Sequence, residues 1–237
     1  MTTLLAMDTS CDSCSVALWH RGRLWQSAQV VPRGHTRLLM PMTRELMSGA
    51  GVPLSELDAV AFGAGPGSFT GLRITLGVVQ GLAWGLGKPL VPVSCLAATA
   101  AQAWRVHQAA RVAVALDARM DQVYWGGFHC GTDSEQQLRV TAACEERVCD
   151  PSQVSLPSGE PSWFAAGSGW QAYGEALTSA LSEASLGGRD AGLGPLAEDI
   201  LRLALPRYAA GELVAPEQAE PVYLRNEISW QKLPGRE

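Results

Sequence analysis

The feature that most constrains the fold is a strand, turn and strand unit that occurs twice. Residues 3–22, "TLLAMDTSCDSCSVALWHRG", read as an apolar strand ending in an aspartate, a turn, an alternating second strand and a glycine turn. Residues 111–131, "RVAVALDARMDQVYWGGFHCG", repeat that order. An offset of 109 residues lays Ala6 on Ala115, Asp8 on Asp117, Asp12 on Asp121, His20 on His129 and Gly22 on Gly131. A repeat on the scale of a domain predicts two lobes built to one plan.

The rest of the chain supports a mixed sheet flanked by helices in each lobe. After a third strand, "RLWQSAQVV", come a helix from about 35 to 51, a strand "LDAVAFGAG", a helix from about 68 to 87 and a strand "PLVPVS". The order β-β-β-α-β-α-β is an α/β pattern. The expected division is a first lobe over 1–108, a second over 109–212, and a proline-containing tail over 213–237 that packs back on the first lobe or meets a partner.

Composition excludes several classes of function. Of 237 residues 47% are hydrophobic and 17% charged, and the net charge of -5 gives no footprint for wrapping nucleic acid. Arg21, Arg23, Arg33 and Arg37 make at most a small basic edge, so RNA contact is expected only through a complex. The start lacks a basic leader before a long apolar run, and no window approaches a membrane span, which predicts a cytoplasmic protein with no membrane association. Six cysteines are too few for a disulfide scaffold and read as thiols. The Cys11 and Cys14 pair and the Cys144 and Cys149 pair lack the context of a zinc or redox site.

"GAGPGSFTGLR", residues 63–73, suggests a phosphate cradle at the start of a helix, but it fails both strict templates. Gly65 and Gly71 are one residue too far apart for a phosphate loop and no lysine follows; a dinucleotide fingerprint has its last glycine one place late. Two readings stay open: an anion site at a helix start, and a turn in which glycines allow unusual dihedrals while Ser68 caps the helix. An enzymatic alternative follows from the first, an ATPase or sugar-kinase-like protein using Asp8 and the 63–71 loop.

The two helices are apolar over more than one face. "FTGLRITLGVVQGLAWGLG" places Gly77, Gly81 and Gly85 at intervals of four, a smooth stripe made at about 1 kcal/mol per interior glycine relative to alanine. "HTRLLMPMTRELMSGA" is rich in leucine and methionine, with Pro41 expected to start or kink the helix. The expected docking surface is Leu39, Met42, Leu46, Phe69, Arg73, Gly77 and Gly81.

"LLAMDTS", "HTRLLMPM", "GPGSFTGLRITLGVVQGLAWGLGKPLVPVS", "DARMDQVYWGGF" and "PVYLRN" together resemble the TsaB family, also called YeaZ, over nearly the whole chain. The resemblance implies a two-lobed actin/Hsp70-like fold with RNase H-like lobes. It also implies a part in making threonylcarbamoyladenosine beside the anticodon of tRNA, in which the paralogue TsaD does the transfer chemistry and the ATPase TsaE also takes part. A TsaB-like chain is then a non-catalytic partner that pairs with TsaD, or with a second copy of itself when alone. The His-x-x-x-His metal pair of TsaD falls here on Cys95 and Thr99, so no metal is expected. The Asp-x-Gly turns of actin-like ATPases fall on Asp8, Thr9 and Ser10 and on Asp117 with its neighbours, which implies a vestigial nucleotide cleft. No cofactor is expected, with weak or shared nucleotide binding left open, and no arrangement supports a peptidase.

Overall fold

The computed structural model describes residues 2–225 apart from 135, 183 and 185. Its described residues form two mixed sheets with one strand order. In the first, β1 (Thr3–Asp8), β2 (Ser13–His20), β3 (Arg23–Val30), β4 (Ala59–Gly65) and β5 (Leu90–Ser94) lie in the order β3-β2-β1-β4-β5. In the second, β6 (Arg111–Asp117), β7 (Val123–Thr132), β8 (Leu138–Ala142), β10 (Trp163–Ala166) and β11 (Leu186–Asp190) lie in the order β11-β10-β6-β7-β8, and the short β9 (Arg147–Cys149) also pairs with β7. Each sheet has the same antiparallel hairpins followed by two parallel strands. This is the duplicated actin-like architecture.

The hairpins differ by one residue. Asp8 pairs with Ser15, whereas Asp117 pairs with Val123, so the second turn is one residue shorter. Ala6 and Ala115, and Asp8 and Asp117, therefore occupy equivalent places. His20 pairs with Thr3, but Val112, the equivalent of Thr3, pairs with Phe128 and leaves His129 one place out of step. The same correction applies to Gly22 and Gly131. A one-residue slip turns a strand's side chains over, so these two matches have no common structural role.

The first sheet is covered on both faces, as its alternation requires. Leu5, Met7, Val16, Leu18, Val60 and Phe62 face α1 (His35–Ala50) and α2 (Phe69–Leu86). The other face is lined by small residues, Ala6, Ala17, Ala59 and Ala61, which admit α6 (Ala197–Ala209) through Ala197, Ile200, Leu201 and Ala204. Thus a helix expected in the second lobe packs on the first sheet. Reciprocally, α3 (Cys95–His107), which follows the first lobe's last strand, lays Leu96, Ala100 and Ala103 on Val112, Val114 and Phe128 of the second sheet. The last helix of each half covers the sheet of the other. The far face of the second sheet is closed by α4 (Gly169–Ala172) and α5 (Gly174–Ala180), with Trp125, Trp163 and Trp170 packed among them.

The helix limits follow from local chemistry. Ser68 accepts a hydrogen bond from Gly71 N at 3.3 Å and caps α2, while Gly51 and Gly87 end α1 and α2 in the left-handed conformation. Pro41 neither starts nor ends α1, which runs through it as one element. No helix among the described residues is long and apolar enough to cross a membrane.

Candidate docking face and buried aspartate turn

The turn after β1 is enclosed by the chain itself. Asp8, Thr9 and Ser10 are buried. Asp8 Oδ1 accepts from Ser10 N at 3.0 Å and from Ser10 Oγ at 2.9 Å. Ser10 O accepts from Ser68 N at 2.8 Å, and Thr9 Oγ1 donates to Gly71 O at 2.8 Å beside Thr75 Oγ1 at 2.6 Å. The glycines of the loop serve this closure. A Cβ on Gly71 would strike the carbonyl oxygen of Thr9, and one on Gly67 would stand 2.8 Å from that of Ser10. What approaches these glycines is the Asp8 turn.

Burial raises the pKa of Asp8 from 3.8 to about 7, against the two bonds from Ser10, which lower it. Its second oxygen has no partner among the described residues. Cys95 lies against the same cluster, donating from Sγ to Ser10 Oγ at 3.3 Å, and burial holds its thiol well above the ordinary range. Thr99 spends its hydroxyl on the Cys95 carbonyl at 2.8 Å. The cysteines are thiols, and the described residues contain no cluster of His, Cys, Asp and Glu suited to a metal.

Asp117 stands in the other lobe's turn, where its partners are Arg119, through the backbone N at 2.8 Å and Nη1 at 3.0 Å, and the Tyr173 hydroxyl at 3.5 Å. The two aspartates hold similar places in the two hairpins but different surroundings: one enclosed under α2, one in a polar turn.

The expected docking residues divide into two groups. Leu39 and Met42 are not surface: they are 1% and 3% exposed and belong to the first core, with Leu46 packed partly against it. The reason is helical period, since positions 39, 42, 43, 46 and 47 share the face that α1 turns to the sheet. Phe69, Arg73, Gly77 and Gly81 lie on the exposed face of α2. Among the described residues, a Cβ at Gly77, Gly81 or Gly85 would meet nothing within 4 Å. Phe69 is 51% exposed, with the Arg73 guanidinium 3.8 Å from its ring centroid.

Three parts of this face lay outside the expected set. Trp84, 67% exposed, follows Gly77 by seven residues and so shares its side of the helix. It borders an open groove of about 340 Å³ with Lys88, Pro89 and Pro216. Tyr223 packs against Phe69 with ring centroids 5.7 Å apart and planes tilted by 37°, and its hydroxyl accepts from Arg73 Nε at 3.1 Å. The spacing of Trp84 was available as a signal; the tail over 213–237 was expected to pack back on the first lobe or meet a partner, but the sequence did not single out Tyr223 as the residue that meets α2.

A family model described as "TsaD: tRNA N6-adenosine threonylcarbamoyltransferase" matches residues 28–182. The protein named "tRNA threonylcarbamoyladenosine biosynthesis protein TsaB" from Escherichia coli is 41% identical over 99% of both chains. The chain belongs to the TsaB family. The Haemophilus influenzae TsaB is also 41% identical, over 99% of this chain and 98% of its own. A solved structure described as YeaZ from Pseudomonas aeruginosa superposes with a TM-score of 0.86 at 47% identity, covering 94% of this chain and all of that one. Through residues 28–182 this TsaB-family chain also falls within the wider family that the TsaD model describes.

Proposed function

We propose that this chain is a non-catalytic partner in the formation of threonylcarbamoyladenosine in tRNA, and that it docks a TsaD-family protein through the exposed face of α2. In the absence of that protein the same face pairs with a second copy of the chain. TsaE and tRNA enter through the complex. The names of the full-length relatives support the pathway.

One observation carries the docking role. Gly77, Gly81 and Gly85 weaken an exposed helix, and among the described residues no packed atom lies within 4 Å of where their Cβ atoms would stand. Their cost is explained by close approach of something outside the chain, because a glycine stripe lets a second helix backbone come nearer than side chains allow. Phe69 and Trp84 at its two ends supply exposed apolar anchors. The non-catalytic part is supported by the Asp8 turn, whose backbone and hydroxyl groups bond to Ser68, Gly71 and each other.

The test is to mix purified chain with a TsaD-family protein and measure affinity by calorimetry. Gly77→Arg is expected to weaken binding by at least about a hundredfold, because the arginine fills the approach. Unchanged affinity overturns the docking face. Titration of the isolated chain with ATP and magnesium addresses catalysis separately: turnover lost in Asp8→Ala would overturn the non-catalytic role.

A further inference from the structure

The segment from Val214 to Arg225 follows one path across α2 while containing only a single short turn of helix. Val214 and Leu90 exchange two backbone hydrogen bonds, each 2.9 Å. Gln80 donates its amide to the carbonyls of Pro216 at 2.9 Å and Ala219 at 3.0 Å, and Ala219 enters the first core. Val222 N donates to Ala64 O at 2.7 Å. The Val222 carbonyl oxygen lies 2.7 Å from where a Cβ of Gly65 would stand, and Gly65 has φ +115°. A side chain there would exclude the segment. Tyr223 then meets Phe69 and Arg73.

Two residues later the chain reaches the other lobe. Arg225 Nη2 donates to Ala118 O at 3.1 Å, Arg119 O at 3.3 Å and Gln122 Oε1 at 2.6 Å, and Nη1 lies 3.4 Å from Met120 Sδ. These contacts surround the turn after β6. Arg119, Met120 and Asp121 have φ of 60°, 55° and 55°. A run of left-handed residues without glycine is unfavourable and persists only where its surroundings hold it. Within the turn, Asp117 Oδ1 accepts from Arg119 N and Ala118 N donates to Gln122 O at 3.0 Å. One guanidinium nitrogen, Nη2, adds a contact to two successive carbonyls of the turn, Ala118 O and Arg119 O, the second of which also accepts from Gln122 N at 3.2 Å.

We infer that Val214–Arg225 is a strap that clamps the left-handed turn at 118–122 of the second lobe to the α2 face of the first, with Arg225 as its positioning residue. Its consequence is a coupling: displacing Tyr223 from Phe69 and Arg73 loosens a turn in the other lobe. Both ends of the strap are contacts within one chain, so the inference stands apart from what the α2 face binds.

Hydrogen exchange on the full-length chain tests it. Arg225→Ala is expected to speed exchange of the 118–122 amides about tenfold or more, with β1, β6 and α2 unchanged, since local opening and global unfolding are separate events. Arg225→Lys keeps the charge but shortens the reach to the two carbonyls and should show most of that increase. Tyr223→Ala, with Arg225 intact, should still speed the turn by about threefold or more through its loosened anchor. Unchanged exchange at 118–122 in Arg225→Ala overturns the clamp. So does a uniform increase across β1 and β6, which would make the residue a general contributor to stability. Unchanged exchange in Tyr223→Ala overturns the coupling.

Discussion

A carboxyl group buried at Asp8, with one oxygen bonded to Ser10 and the other to no described partner, favours its protonated form. Its folded pKa of about 7 stands above the ordinary 3.8, so the folded chain holds a proton that the unfolded chain has released between those values. Stability contributed by this site is therefore full below about pH 4, falls as pH rises toward 7 and stays low above it; the total is roughly 3–5 kcal/mol. Asp8→Asn should remove that slope and make the chain more stable at pH 8 by a few kcal/mol, read as the urea midpoint against pH. An equal slope in wild type and variant would place the titration elsewhere. Asp8 stood out in the sequence as an aspartate at the end of a strand, and that much was legible. Its burial was not, because it results from α2 closing over the turn, a contact between residues about sixty apart.

At the scale of the element, α2 carries two kinds of glycine that the sequence does not distinguish. Gly71 abuts the Thr9 backbone, so Gly71→Ala forces main chain apart and should destabilise by about 3 kcal/mol or more. Gly77 and Gly81 face open space, so Gly77→Ala and Gly81→Ala should each stabilise the isolated chain by about 0.5–1 kcal/mol. The two are four residues apart on one open face and should add. Denaturant midpoints check all three, and destabilisation by Gly77→Ala would mean that the helix needs that glycine for itself. The limits of α2 were readable because Ser68 and Gly87 are chemical stops. The burial of Leu39 and Met42 was not, since a helix apolar on several sides does not declare which side meets its sheet. Only packing against β2 and α2 fixes that choice for α1.

Across the whole molecule the repeat announced two lobes, but the exchange of their last helices could not be read from it. Hydrophobic period shows that α3 and α6 each bury a face without naming the sheet that covers it. The exchange joins the halves through a charged pair: Arg105 of α3 donates from Nε to Asp199 Oδ1 and from Nη2 to Oδ2 of α6, each at 2.8 Å. The Asp199 side chain is 0% exposed and that of Arg105 29%. Removing the aspartate leaves the guanidinium half-enclosed and without its fork, though still near Glu198 at 3.6 Å. Asp199→Ala should therefore cost about 2–4 kcal/mol, somewhat below the loss for a fully buried pair because Arg105 reaches solvent. Since α6 covers the first sheet and α3 the second, the loss should appear equally in both. Hydrogen exchange of β1 and β6 under mild denaturant is expected to quicken by the same factor, in one cooperative transition. The double replacement Arg105→Met with Asp199→Leu should recover part of the loss, because it leaves no unpaired charge. Selective loosening of one sheet, or two separate transitions, would mean that the lobes fold as independent units and that the exchanged helices do not bind them into one.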